Sequence, residues 1–231
     1  PVPARRVGRF RTDGAIDDAV LEALDHVTRA LERLGHRVIE VEPLDTQLAL
    51  DAYYVIASAE AASNLARFDG MRFGRRLEAG GFAASVAASR AAGLGPEVRR
   101  RIALGEWVTS TQRYSAVYER ALRARTAIAH ELSARLSTVD VLLGPVSATG
   151  PFRSGERIDD SDAMRATDRY TTPGSLAGLC GLTVPVRTAS APQAVLLTGA
   201  AFKEAELLAL ARSLEAEDDR VGVCDWASRV E

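Results

Sequence analysis

The chain has 231 residues, which is enough for one large domain or two small ones. Apolar residues make up 47% and charged residues 26%, as in ordinary globular proteins. The net charge of −2 gives no electrostatic reason to expect binding to a nucleic-acid backbone or to an anionic membrane. The composition therefore predicts neither a direct nucleic-acid partner nor a membrane partner.

Cysteine and histidine usage excludes further classes of protein. Cys180 and Cys224 are too few for a disulfide framework and have no zinc-knuckle spacing, so two reduced thiols are expected. His26, His36 and His130 are scattered without metal-ligand spacing and are expected to be surface or capping residues. The amino terminus lacks the apolar core of a signal peptide, and no apolar run approaches the ~20 residues of a membrane helix. The sequence predicts a soluble, cytoplasmic protein without a metal or cofactor.

The first forty residues have a β-α-β pattern. Residues 6–10 (RVGRF) form a short strand candidate, and apolar residues recur at helical spacing over 16–34. Asp17 is a natural N-cap for this helix, and Gly35 is placed to end it in the left-handed conformation. A second strand is predicted over 38–41.

Strands and helices continue to alternate in the rest of the chain. This alternation predicts an α/β sheet covered on both faces. Without an internal repeat or an obvious linker, residues 1–231 are expected to form a single domain. The remaining predicted elements are a helix over 46–67, a loop or weak helix over 79–95, two helices between 96 and 137 separated near Gly105 and 109–111, a strand over 139–145, an aperiodic polar stretch over 146–165, strands over 182–186 and 195–198, and a helix over 203–217.

Three stretches of the sequence carry a family resemblance. Residues 49–74 read ALDAYYVIASAEAASNLARFDGMRFG, and residues 97–105 read EVRRRIALG. The third stretch comprises DVLLGP at 140–145 and DRYTTPGSLAGLCGLTVPV at 168–186. Together they resemble the amidase-signature family, and within it the A subunits of glutamyl-tRNA(Gln) amidotransferase; the first stretch is specific to the A subunits, whereas the third is similar to the family in general. The resemblance covers most of the chain from about residue 5 to 217.

The resemblance implies serine amidases with a Ser–cis-Ser–Lys triad in a Gly/Ser-rich segment of the amino-terminal half. Nothing in this chain matches that segment, and the single lysine, Lys203, lies on the predicted final helix. A serine nucleophile needs a base within hydrogen-bonding reach. The chain is therefore expected to be the carboxyl-terminal part of the fold, a mixed β-sheet flanked by helices, with the catalytic half absent and no catalytic residue of its own. An apolar flank is expected where that half would dock.

The A subunits of this family release ammonia from glutamine, which a partner subunit uses to amidate Glu-tRNA(Gln) in protein biosynthesis. A glutamine pocket needs a cation for the carboxylate, for which arginine is favoured, and an anion for the ammonium. By resemblance, Arg101 and Asp168 match this clamp, and Tyr53 matches a pocket tyrosine. Arg101 is preferred over Arg99 and Arg100 because it directly precedes Ile102.

Each of these residues also has a structural interpretation. Three successive arginines on a helix are usually a solvated face. Asp168 is also suited to capping the turn at Thr171-Thr172-Pro173. Tyr53 and Tyr54 lie on an apolar helix, where core packing is expected for at least one of them.

Three hypotheses about function remain open at this point. In the first, the chain is part of an amidase or amidotransferase that works with a missing amino-terminal half or with partner subunits on a small amide or amino acid. In the second, it is a degenerate ligand-binding or regulatory protein of the same fold. In the third, it belongs to an amidase for another small amide. Glu106 also departs from the family pattern, and the departures at Ser175 and 191–197 favour this last hypothesis.

Overall fold

The computed structural model describes residues 3–12, 16–157, 160–189 and 191–222. Cys224 lies outside these ranges, so its reduced state stays a prediction. The strands are β1 Arg6–Phe10, β2 Arg37–Val41, β3 Val141–Pro145, β4 Cys180–Val186 and β5 Gln193–Gly199. The helices are α1 Asp18–Arg33, α2 Thr46–Leu65, α3 Phe82–Gly93, α4 Pro96–Thr109, α5 Glu119–Thr138, α6 Ser161–Ala166, α7 Thr172–Leu176 and α8 Glu204–Glu217, with a π-helical turn at Tyr114–Tyr118.

The five strands form one mixed sheet in the order β2-β1-β3-β5-β4. β1 runs parallel to both β2 and β3, with Val7 opposite Val38 on one side and Val141 on the other. β5 runs antiparallel to β3 and to β4. The α/β class and the mixed sheet predicted from the sequence are confirmed.

Helices cover both faces of this sheet. Side chains alternate along a strand, so Val141 and Leu143 face one way and Leu142 faces the other. Val141 and Leu143 belong to a core that includes buried residues of α1 and α8, whereas Leu142 packs with buried residues of α5. Every residue of β3 is buried, which explains its continuous apolar sequence.

The β-α-β start of the chain agrees with its sequence pattern except at one cap. Asp17 is the N-cap residue of α1, but its side chain makes no cap hydrogen bond. Its carboxylate instead accepts a hydrogen bond from the backbone N–H of Gly150, at 3.0 Å. Capping by the side chain was therefore the wrong prediction, because a distant backbone donor takes that carboxylate. Gly35 has φ +82°, the left-handed conformation predicted for it.

The chain divides into two compact units. Unit 1 comprises residues 1–50 and 126–231, and unit 2 comprises residues 51–125. Unit 1 holds the sheet, and unit 2 holds the greater part of α2 together with α3, α4 and the π-helical turn. The single domain expected from the sequence stays a prediction.

The structure corrects one prediction made for Gly105, which lies in unit 2. It was expected to weaken the helix in which it lies, yet α4 continues past it to Thr109 and the break falls at 110–113. A Cβ atom on Gly105 would lie 2.1 Å from the carbonyl oxygen of Ser58 and 2.7 Å from Ala62 Cβ. The glycine thus allows α4 to pack closely against α2.

Two buried serines attach the preceding loop to α3, which is a full helix where a loop or weak helix was expected. Ser89 Oγ accepts a hydrogen bond from the N–H of Leu77, and Ser85 Oγ accepts one from the N–H of Ala79, both at 2.9 Å. The serine hydroxyls thus accept hydrogen bonds from loop N–H groups, which have no helix or sheet partner of their own.

We expect Ser89→Ala to lower the stability of this loop by about 1 kcal/mol, since the partly buried N–H of Leu77 loses its acceptor. Amide hydrogen exchange at Leu77 should become faster. Ser63→Ala, at an exposed position of α2, serves as the control and should leave that amide unchanged. Equal exchange rates at Leu77 in both variants would contradict the assignment.

Several large apolar side chains are exposed, among them Phe82 in α3 and Phe202 before α8. The expectation that an apolar flank docks a further part of the fold stays a prediction. Across the described ranges, no helix is both long enough and apolar enough to cross a membrane.

Candidate functional site

Arg101 is held in place by α4 itself and by α2 within unit 2. Its Nε donates to Glu97 Oε1 at 2.8 Å, one helical turn earlier. The guanidinium also lies over the ring of Tyr54, with Cζ 5.3 Å from the ring centroid, and the nearby Tyr53 side chain interacts favourably with it. The Arg101 side chain is 29% exposed. A guanidinium has five N–H donors, so further donors remain for an incoming carboxylate.

The two tyrosines have different environments. Tyr54 is buried, as expected for at least one of the pair, whereas Tyr53 is half-buried. Their rings meet edge to face, with centroids 5.3 Å apart. This arrangement fixes the Tyr53 ring beside Arg101.

The neighbouring arginines differ from Arg101. Arg99 and Arg100 are exposed, and Arg100 binds both carboxylate oxygens of Glu97. Hydrogen bonds from Arg100 and then Arg101 lower the pKa of Glu97 to about 2, so this carboxylate stays ionised at neutral pH. The Glu97 contact, followed by that with Tyr53, raises the pKa of Arg101 against the opposing effect of burial. Of the three arginines, Arg101 is the least exposed.

Asp168 lies in unit 1, between α6 and α7. Its backbone carbonyl accepts hydrogen bonds from Thr172 Oγ1 at 2.6 Å and from Thr171 Oγ1 at 3.2 Å. The turn is thus capped by the main chain of Asp168 and not by its side chain. Within the described ranges, its half-buried carboxylate has no hydrogen-bond partner. It is therefore available for a ligand ammonium.

Two cavities of unit 1 lie close to this turn. Thr167, beside Asp168, lines an open cleft of about 370 Å³ together with Ser147 and Thr149. A smaller apolar cavity of about 40 Å³ lies where β1 and β3 end, the edge at which open α/β sheets usually bind ligands. Its apolar walls include Phe10, Leu44, Leu132, Tyr170, Pro173 and Leu196.

The structure therefore brings together two of the three residues predicted from the sequence. Tyr53 and Arg101 are in contact within unit 2, whereas Asp168 belongs to unit 1. The meeting of all three around one ligand stays a prediction. Tyr54 and Glu97 were not singled out as functional from the sequence, although the i, i+4 spacing of Glu97 and Arg101 was a usable signal.

The remaining titratable candidates have structural roles. Lys203 is exposed at the start of α8 and pairs with Glu206. His130 is exposed, as expected, and His26 lies beside the buried Asp218. His36 is buried and not on the surface, so of its two predicted roles it has the capping one. Its Nδ1 caps the backbone N–H of Arg5, and burial lowers the pKa of His36.

Comparison with known proteins places these features in a family. The model of the Amidase family matches residues 4–208. The A subunit of glutamyl-tRNA(Gln) amidotransferase from Geobacter sp. (strain M21) is 42% identical over 205 residues, covering 87% of this chain and 42% of the relative. Its counterpart from Myxococcus xanthus is 43% identical over 210 residues, covering 90% of this chain and 42% of the relative.

A solved structure agrees with these matches. The crystal structure of the A subunit of glutamyl-tRNA(Gln) amidotransferase from Thermotoga maritima superposes with a TM-score of 0.70 at 30% identity. The superposition covers 94% of this chain and 43% of that one. The chain belongs to the Amidase family, and it spans less than half the length of these relatives.

Proposed function

We propose that the chain is the carboxyl-terminal part of the A subunit of a glutamine-dependent amidotransferase and contributes its substrate pocket. The observation that carries this proposal is the similarity to A subunits over nearly the whole chain. In this function, the complete A subunit hydrolyses the amide of glutamine in the cytoplasm, and partner subunits use the ammonia to amidate Glu-tRNA(Gln). The nucleophile comes from the amino-terminal half of the fold.

The geometry of Arg101 supports a role in binding a carboxylate. A guanidinium fixed by Glu97 and by two tyrosines loses little conformational entropy when a ligand arrives. Its planar array of donors suits a carboxylate. Asp168 would take the ammonium at the other end of the amino acid, because its carboxylate is not used by its own turn.

Ligand analogues separate the roles of the two charges. We expect Arg101→Gln to weaken L-glutamine binding about tenfold, since a half-exposed charge contact contributes about 1–2 kcal/mol. Asp168→Asn should weaken it by a similar factor. Glutaramate lacks the ammonium, so only Arg101→Gln should affect its binding. 4-Aminobutanamide lacks the carboxylate, so only Asp168→Asn should affect it. Isothermal titration calorimetry measures all four combinations.

Arg99→Gln is the matched control for this experiment, because it removes an exposed arginine from the same helix. It should leave glutamine binding unchanged. An equal loss in Arg99→Gln, or the same response to both analogues, would remove glutamine recognition from these residues.

Reconstitution tests the catalytic part of the proposal. We expect no ammonia release from glutamine by the chain alone. Co-expression with the amino-terminal portion of the A subunit from Geobacter should restore release if the two parts complete one fold. Activity of the chain alone that one serine substitution abolishes would contradict the proposal.

A different small amide is the second candidate substrate. Ser175 stands where the family has asparagine, and it is exposed, with its Oγ 3.3 Å from the carbonyl of Thr171. If this change alters the pocket, the reconstituted enzyme should prefer another amide over glutamine. A panel of simple amides in the same ammonia assay distinguishes the two.

A further inference from the structure

The net charge of the chain conceals an uneven distribution. Unit 1 carries 17 basic and 24 acidic residues, a net charge of −7, whereas unit 2 carries 12 arginines and 7 acidic residues, a net charge of +5. Residues 97–125 contain seven arginines and three glutamates, a net charge of +4. Almost all the excess positive charge of unit 2 therefore lies in α4, the π-helical turn and the start of α5.

Exposed aromatic side chains accompany this charge. Trp107, near the end of α4, is 47% exposed, and the guanidinium of Arg113 stacks on it at 4.1 Å from the ring centroid. Tyr114 is 41% exposed and packs against Tyr118, with centroids 5.3 Å apart. Arg120 and Arg123 follow in the first turns of α5, and both are exposed. We call these six residues the Trp107 surface.

Tryptophan, tyrosine and arginine are the residues that dominate the binding energy of protein interfaces. Covering an exposed aromatic ring with a partner removes apolar surface from water and stabilises the complex. The arginines select a partner of opposite charge. Arg113 is already stacked, so part of the surface is preorganised. The π-helical turn is also a rare conformation that occurs often at functional sites.

We infer that the Trp107 surface is the docking site for an acidic protein partner. A nucleic acid fits less well, because the surface offers only three arginines for a run of phosphates and one of them, Arg123, already pairs with Glu119, whereas a few acidic side chains of a protein need no more than that. Arg113 also covers one face of the tryptophan ring on which a base would stack. The surface does not include Arg101, so the inference does not depend on glutamine binding.

Fluorescence of Trp107 tests this inference directly. Trp226→Phe leaves Trp107 as the only tryptophan. A synthetic helical peptide rich in glutamate and leucine is the probe, and it should change the emission in a saturable way that weakens as salt rises. In this background, the pair Arg113→Gln and Arg120→Gln should bind the peptide about tenfold more weakly.

Arg72→Gln with Arg75→Gln is the matched control, because it removes the same charge from exposed positions elsewhere in unit 2. It should change peptide affinity by less than about twofold. Circular dichroism checks that both double variants fold. Equal weakening in the two pairs would overturn the inference, since net charge alone would explain it.

Two further results separate the possible partners. Tighter binding of tRNA than of the peptide, lost on changing Arg113 and Arg120, would overturn the inference in favour of a nucleic-acid surface. Trp107→Ala should also weaken peptide binding, measured as the fluorescence anisotropy of a labelled peptide. An unchanged affinity would mean that charge alone accounts for binding and would overturn the role given to the aromatic side chains. Glutamine titration of the same variants should be unaffected, so failure of the proposed function is recognised independently.

Discussion

Gly105→Ala is expected to destabilise unit 2 by about 2–3 kcal/mol. The new Cβ would lie 2.1 Å from the carbonyl oxygen of Ser58, which belongs to the backbone of α2 and cannot rotate away. The helices must therefore separate, which costs more than the ~1 kcal/mol that alanine gains over glycine within a helix. Urea denaturation followed by Trp107 fluorescence in the Trp226→Phe background measures the change.

Gly93→Ala provides the matched control. Gly93 is the last residue of α3, and a Cβ atom there meets nothing within 4 Å. This variant should be equal to or slightly more stable than the parent, by up to about 1 kcal/mol. If Gly105→Ala behaves in the same way, the close approach of α2 and α4 is wrong.

Asp218→Ala is expected to cost about 2 kcal/mol in unit 1. The side chain of Asp218 is only 8% exposed, and its Oδ2 accepts a hydrogen bond from Arg33 at 2.7 Å. Its Oδ1 accepts a bond from the N–H of Arg220, and His26 Nε2 lies 2.9 Å from Oδ2, although poorly aligned for a hydrogen bond. Removing the carboxylate leaves these donors without their acceptor.

The loss of stability in Asp218→Ala should extend to the edge of the sheet at β4. Arg187 donates its N–H to the carbonyl of Arg220, and Gly222 donates its N–H to Pro185, so residues 220–222 pair with the end of β4. Asp218 fixes the start of this segment. Amide hydrogen exchange at Arg187 and Gly222 should therefore become faster in Asp218→Ala, whereas Asp219→Asn, at the exposed neighbouring position, should leave it unchanged.

Protonation of Asp218 at low pH should lower the unfolding free energy of the parent in the same way as Asp218→Asn does. Burial raises the pKa of Asp218, but its contacts with His26, Arg220 and Arg33 outweigh burial and hold that pKa below its ordinary value. The stabilisation is complete above the unfolded-state pKa of about 3.9 and is lost as pH falls through the lower folded-state pKa. The difference in unfolding free energy between the parent and Asp218→Asn should thus be constant above about pH 5 and shrink below pH 4. A difference that grows in acid would contradict this assignment.

The regular elements were largely predictable because their patterns are local. The helix over 16–34 and the strands at 6–10 and 38–41 follow from apolar spacing and from a glycine that adopts positive φ. Gly105 was misjudged, because its role depends on α2, more than forty residues earlier in the chain. α6 was missed inside the aperiodic stretch 146–165, where a helix of six residues gives no period to detect.

The candidate site was accessible from the sequence only through resemblance. No spacing rule connects Tyr53 with Arg101, yet their contact follows once α2 and α4 pack together. The positive charge on the Trp107 surface could not be predicted from the net charge of the chain, for a simpler reason. A net charge of −2 for the whole chain is the sum of a basic and an acidic unit, and only the structure shows where the division lies.

The division of the chain also bears on the order in which it folds during synthesis. β1 and β3 are hydrogen-bonded neighbours, yet the 75 residues of unit 2 are inserted between the two segments of unit 1. Unit 2 is continuous and can collapse as it leaves the ribosome, whereas the sheet must wait for β3, β4 and β5. A compact insert brings the ends of a long loop closer than a flexible chain would, which lowers the entropy cost of closure. Early folding of the helices would thereby accelerate the later assembly of the sheet.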